Sequence, residues 1–145
     1  MWLDGIYMAS PFYAQWTAFY DSKNTTAWND IVNQFDLIDK YTSVPGGSGL
    51  LFHGYDESKK ASWADPVTGA CPHVWDRALG WYFMALVDIL EYFPKSHVGY
   101  ARLLAYLKKV AKGVLDAQDS GTGGWWLIMT PGYVVFGSRC QRAMS

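Results

Sequence analysis

The chain has 145 residues, half of them apolar and 17% charged, with 12 Lys and Arg against 13 Asp and Glu. That length fits one domain, and the composition excludes a disordered tail or a coiled coil. A formal charge of -1 argues against nucleic acid as a partner, and the short, interrupted apolar stretches argue against a membrane one.

The opening, MWLDGIYMASPF, has neither a basic leader nor a continuous apolar run, so no signal peptide is expected. Cys71 and Cys140 are far apart and outside any CxxC or zinc spacing. Two free thiols in a reducing, cytoplasmic setting are the expectation. Eight Trp, ten Tyr and seven Phe make the chain 17% aromatic. Such rings either fill a large core or stack on the apolar faces of sugars, and composition alone leans towards the core.

From about Asp4 to Tyr20 the pattern is helical, and Pro11 predicts a break or kink within it. A second helix is expected from about Thr26 to Tyr41, with Trp28, Ile31, Val32, Phe35 and Ile38 on one face and Asn24 or Thr25 as its cap. The third begins near Trp75 and ends before Pro94, with Leu79, Tyr82, Phe83, Leu86, Ile89 and Leu90 as its apolar stripe. The fourth covers about Gly99 to Gln118, with Leu103, Leu104, Leu107, Ala111, Val114 and Leu115 inward and Lys108, Lys109 and Lys112 on the solvated side.

The link between the second and third helices is long for a compact domain, and links of that length are often functional. Within it, Leu50–Tyr55 reads as a short extended strand. The segment after the fourth helix repeats its grammar, which makes Gly49-Leu50-Leu51-Phe52 and Gly124-Trp125-Trp126-Leu127 candidate equivalents in an internal repeat. Paired helices plus a loop are the unit of an α/α toroid or solenoid. Each unit leaves an apolar face until a neighbour stacks on it, so self-association through uncovered helical faces is expected.

Asp4 stands between aromatics in WLDGIYM. Beside Trp2 its carboxylate would be partly desolvated, which favours the protonated form, and a proton so held can be donated. Its bland alternative, an N-cap, is the commoner role on spacing alone. His53, in LFHGYDE, can bind a ligand or titrate near neutrality, or simply face solvent. Trp75, Arg77 and Trp81 open the third helix, and a guanidinium flanked by indoles suits a planar carboxylate with a ring beside it, as in a uronic acid. The alternative there is a surface arginine covering core tryptophans. Gly80 weakens the helix unless a close approach needs it. Asp56, Glu57, Asp65 and Asp76 are further carboxylates, read mostly as turn or cap residues. No phosphate loop, HExxH or GxSxG is present.

At WLDGIYMASPF, followed by GLLFHGYDE and then W-x-R-A-L-G-W-Y with VDILEYFP, the chain resembles glycoside hydrolase family 105. These are the unsaturated rhamnogalacturonyl hydrolases, relatives of the family 88 unsaturated glucuronyl hydrolases. The resemblance runs from about Trp2 to Trp126. It implies an all-α fold, part of an (α/α)6 barrel made of helical hairpins. Residues 1–145 are expected to be a single partial domain, incomplete at both ends and atypical from about residue 127. Family members are much longer, this chain begins where their middle begins, and a second acidic residue of the family site belongs upstream.

The resemblance implies that Asp4 is the general acid and base. It implies that Trp2 and Met8 line the sugar subsite, and that His53, Trp75, Arg77 and Trp81 bind the unsaturated uronate. The implied reaction hydrates the C4=C5 double bond of a non-reducing 4,5-unsaturated galacturonic acid, the kind of end left by pectin lyases, and needs no metal or organic cofactor. An unsaturated uronic-acid oligosaccharide is the expected partner. Two other readings stand beside it: a truncated carbohydrate-binding remnant without catalysis, and a conventional inverting glycosidase on an α/α toroid.

Overall fold

The structure is a computed structural model that describes residues 1–130; Cys140 and the remainder of the atypical tail lie outside them. Among the described residues the backbone forms four helices and no strand: α1 (Asp4–Tyr20), α2 (Thr25–Thr42), α3 (Asp76–Tyr92) and α4 (Val98–Asp116). This is the architecture of a partial α/α barrel.

The local reasons are visible in the sequence. Asn24 caps α2 by accepting the Ala27 backbone N–H at 3.0 Å, and His97 caps α4 by accepting that of Gly99 at 3.0 Å. The α2 stripe is buried as expected: Trp28, Ile31, Val32, Phe35 and Ile38 all lie in the core. So do Leu79, Tyr82, Leu86 and Ile89 of α3, with Phe83 and Leu90 partly covered against them. In α4 the core seam is Leu103, Val110 and Gly113, while Leu115 is exposed. Lys109 also departs from its expected solvated side. It turns towards α2, where its Nζ donates to Asp39 Oδ1 at 2.6 Å and to Ser43 Oγ at 2.8 Å.

Pro11 does not divide α1, which runs unbroken from Asp4 to Tyr20. A proline there costs the bond to the Tyr7 carbonyl and crowds it. Packing along the whole helix outweighs that loss. The buried side of α1 is built from Ile6, Ser10, Ala14 and Thr17, mostly small residues that let it lie close against α3, its principal partner.

The two hairpins stack in parallel. At one end Asp4 of α1 meets Arg77 of α3; at the other, Gln15 Nε2 donates to Tyr92 Oη at 3.2 Å and Phe19 lies 6.0 Å from the Tyr92 ring. The outer helices run in the same register. Asp36 of α2 accepts from Arg102 at 2.5 Å and from Tyr106 at 2.7 Å, one turn before the Asp39–Lys109 pair.

The stripes of α2, α3 and α4 are therefore buried against one another rather than left open. The uncovered apolar face belongs to α1, where Met8, Phe12, Trp16, Phe19 and Tyr20 are exposed. A helix that is apolar on nearly all sides is the kind found inside larger helical assemblies.

Leu50–Tyr55 is extended but forms no strand, because each residue or two finds a different partner. Leu51 bridges Ser43, Gly54 bridges Trp2 and Tyr55 bridges Ala70. A further bridge joins Trp75 to Ile128. The Trp2–Gly54 and Trp75–Ile128 bridges are equivalent: each ties the segment entering an inner helix to the link that follows the next outer helix. The hairpins thus repeat in backbone pairing, but one residue out of the expected register: Gly54 matches Ile128, which sets Gly49 against Gly123, both at positive φ, rather than against Gly124.

Two glycines test the packing in opposite directions. A Cβ at Gly80 would meet nothing within 4 Å, whereas one at Gly113 would lie 2.6 Å from the Ser48 carbonyl oxygen. Gly80→Ala is expected to stabilise the fold by about 0.5–1 kcal/mol through helix propensity. Gly113→Ala is expected to destabilise it by about 1–3 kcal/mol through overpacking against the backbone. Urea unfolding midpoints of the two variants should move in opposite directions.

Candidate active site

The first turns of α1 and α3 come together because their helices pack in parallel. Leu3 is the N-cap of α1 and no side chain caps that end, so the Asp4 carboxylate is not spent on its own helix. Its Oδ1 accepts from Arg77 Nε at 3.1 Å and lies 3.1 Å from a second guanidinium nitrogen. One carboxylate oxygen therefore engages two donors of the guanidinium edge. The Arg77 side chain is 57% exposed and that of Asp4 only 21%, so the cation is the reachable partner.

His53 enters from the α2–α3 link. Its backbone is held on both sides: its N–H donates to the His73 carbonyl at 2.8 Å and its carbonyl accepts from Leu3 at 3.0 Å. The second hydrogen bond fixes the link directly to the mouth of α1. His53 Nδ1 and Asp4 Oδ2 are both buried without a hydrogen-bond partner, and they face each other across 3.9 Å. That separation is too long for a hydrogen bond. Burial pushes the imidazole below its ordinary value of 6.5; the Asp4 charge opposes this and the Arg77 charge reinforces it. A neutral His53 is thus the favoured form at neutral pH. Its contribution to folding is present above that value and is lost as pH falls through the lowered one.

Two aromatic side chains frame His53: Trp2 with ring centres 5.1 Å apart and Trp75 at 5.9 Å. Trp81 lies further along α3 and packs on Tyr7 of α1 at 4.7 Å, so it braces the helix pair beside the charges. The indoles thus pack on His53 and Tyr7, while the Arg77 guanidinium is engaged by Asp4. Met8, one turn along α1 from Asp4, lines an open groove with Ala9, Phe12, Tyr13 and Trp16. It is not part of the Asp4–Arg77–His53 cluster.

The remaining carboxylates divide by role. Asp56 accepts from the Ser58, Lys60 and Ala61 backbone N–H groups, and Asp65 from those of Val67 and Thr68. These bonds hold both carboxyls below their ordinary value and mark them as turn residues. Asp76 opens α3 beside Arg77, and burial pushes its carboxyl up.

Two neighbours carry no motif of their own. Trp63 stands edge-on to Trp2 at 6.3 Å, carried there by the turns that Asp56 and Asp65 build, and Tyr7 completes the contact with Trp81. Only the Asp-x-Ser and Asp-x-x-Thr turn signals around Trp63 hinted at a rigid loop. Among the described residues, no three His, Cys, Asp or Glu side chains gather as a metal site. Cys71 is a buried thiol. No described helix is long and apolar enough to cross a membrane.

Comparison with known proteins gives this arrangement its context. A family model described as Glycosyl Hydrolase Family 88 matches residues 1–136. Two curated proteins, Protein Atu3128 of Agrobacterium fabrum and the 24.9 kDa protein in picA locus of Rhizobium radiobacter, are each 36% identical over 100 residues, covering 69% of this chain. The chain spans 41% of the length of those relatives. A solved family 105 glycoside hydrolase of C. acetobutylicum superposes with a TM-score of 0.84 at 37% identity, covering 91% of this chain and 36% of that one. A family 88 glycosyl hydrolase from Bacteroides vulgatus gives a TM-score of 0.69 at 19% identity, covering 90% of this chain and 35% of that one, and so shares the fold.

The cluster makes a titration test. The His53 imidazole, followed by NMR, is expected to have its midpoint below 6.5. Asp4→Asn removes the opposing charge and should lower the midpoint further. Arg77→Gln removes the reinforcing charge and should raise it. A midpoint above 6.5 in the unmodified chain would contradict the burial described above.

Proposed function

The chain belongs to glycosyl hydrolase family 88, and on that premise we propose that it carries the reaction centre of an unsaturated rhamnogalacturonyl hydrolase. The glycosidase class follows from the family. The substrate and the hydration chemistry are our reading of the site. The observation that carries this reading is the union of an acid and a guanidinium, Asp4 and Arg77, at one mouth framed by Trp2, Trp75 and His53.

In this reading a non-reducing 4,5-unsaturated galacturonic acid enters with its carboxylate towards Arg77. Trp2, Trp75 and Trp81 supply apolar faces around the ring. Met8, on the separate groove along α1, has no part in this reading. His53, held neutral with its Nδ1 turned to Asp4, offers the sugar an Nε2–H donor. Asp4 gives a proton to C4 of the enol ether, and water adds at C5 as the same carboxylate takes back a proton. The C5 hemiketal then opens and the neighbouring sugar leaves. No metal or organic cofactor enters this chemistry.

A second reading is favoured by the open aromatic face of α1: a carbohydrate-binding remnant that holds the uronate without turning it over. Loss of absorbance of the conjugated double bond separates the two. With an unsaturated galacturonate oligosaccharide, the absorbance is expected to fall, and Asp4→Asn to slow that fall by about 10²–10⁴-fold, the usual contribution of a general acid. Arg77→Ala is expected to weaken substrate binding by about 1.5–3 kcal/mol, the range for a charge-assisted contact. Binding with an unchanged double bond favours the remnant, and undiminished turnover in Asp4→Asn removes Asp4 from the chemistry.

A further inference from the structure

We propose that ligand binding at this mouth is a carboxylate exchange coupled to proton uptake: the carboxylate of an anionic sugar takes the Arg77 guanidinium from Asp4, and the released Asp4 takes up a proton from solvent. The inference rests on the reading of Arg77 as the uronate contact and deepens it, by stating how the acid becomes loaded.

Three observations carry it. First, one forked edge of the guanidinium is already occupied. Arg77 Nε and a terminal nitrogen both address Asp4 Oδ1, at 3.1 Å each. A ligand carboxylate that takes this edge displaces Asp4, and the exposure of Arg77 lets it do so from solvent.

Second, a proton restores the charge of the free pair. Asp4 and Arg77 form a neutral pair in the free protein. A third charge, brought by the ligand, leaves two anions around one cation. Arg77 and Asp76 from α3 and His53 from the link are the charged and titratable groups about this pair. Asp76 is another acid beside the cation, so it adds no positive charge. His53 resists charging because it is buried and because Arg77 repels a second cation. A like charge and a lost counter-ion both favour a protonated carboxyl.

Third, the two orphaned atoms acquire a use. In the free protein Asp4 Oδ2 and a neutral His53 Nδ1 both act as acceptors when the imidazole proton sits on Nε2, and they remain 3.9 Å apart and unpaired. Protonation turns Asp4 Oδ2 into a donor that faces this acceptor, and a shift of the released carboxyl by about 1 Å would bring the two within hydrogen-bond reach. A new O–H bond forms on Asp4 with a proton from solvent or buffer, and no other bond breaks. The acid is then loaded when an anionic sugar occupies Arg77, and a neutral sugar leaves it unloaded.

Saturated galacturonate tests the exchange without a double bond to react. Its binding to the whole chain is measured by calorimetry in two buffers of different ionisation enthalpy near neutral pH, against its methyl ester. The expected result is net proton uptake on binding, larger at lower pH. Uptake should be retained in Asp76→Asn and abolished in Asp4→Asn. The methyl ester should bind at least about tenfold more weakly, without uptake, because it lacks the charge that competes for Arg77. Binding without uptake in the unmodified chain overturns the exchange and leaves the hydrolase reading to the absorbance assay. Uptake that survives Asp4→Asn overturns the assignment of the proton. Equal binding of acid and ester, or binding of neither, overturns both the exchange and the uronate role of Arg77.

Discussion

The parallel seam between α1 and α3 is the constraint on which the molecule depends. Small residues, Ser10, Ala14 and Thr17, line the buried side of α1, and Ala78, Leu79, Tyr82, Ala85, Leu86 and Ile89 line that of α3. Because the two run in the same direction, their first turns end side by side. Asp4 and Arg77 therefore meet without any loop having to carry them. A pair built on helix starts inherits the stiffness of the helices, which fixes the carboxylate against the guanidinium.

The outer layer and the link serve that seam. α2 and α4 are held by two ionic contacts, Asp36–Arg102 and Asp39–Lys109, both partly exposed and so modest in worth. Their larger effect is on register. Close approach of Gly49 to Gly113 lets the link cross α4, and backbone hydrogen bonds from Leu3 to His53 and from Tyr55 to Met1 then hold His53 at the mouth of α1. The loop is long in sequence yet tightly tied, since Asp56 and Asp65 each gather several backbone N–H groups. Its ties explain how a segment without helix or strand can carry Trp63 to the edge of Trp2.

Helix periodicity made most of the fold legible. Four helices, their buried stripes on α2 and α3 and the Asn24 cap all follow from residue spacing. The motifs around Asp4, His53 and Arg77 pointed to one site, and these three side chains do converge. Pro11 misled because a local rule about one lost hydrogen bond cannot register packing spread along a helix. Lys109 and Leu115 exchanged expected sides because the seam of α4 follows Leu103, Val110 and Gly113, and a glycine carries no hydropathy signal. The expected strand at Leu50–Tyr55 dissolved into single bridges, since alternation does not say how many partners a segment will find. The capping alternative for Asp4 could be settled only by the location of Arg77, far away in sequence.

The equivalence of the Trp2–Gly54 and Trp75–Ile128 bridges has an electrostatic consequence. Asp4 and Arg77 each stand two residues beyond the bridging tryptophan, so they occupy matching places in the two hairpins. With an acid at both places two anions would repel across the helix junction; with a base at both, two cations would. One repeated backbone therefore joins its two units through opposite signs at the same place.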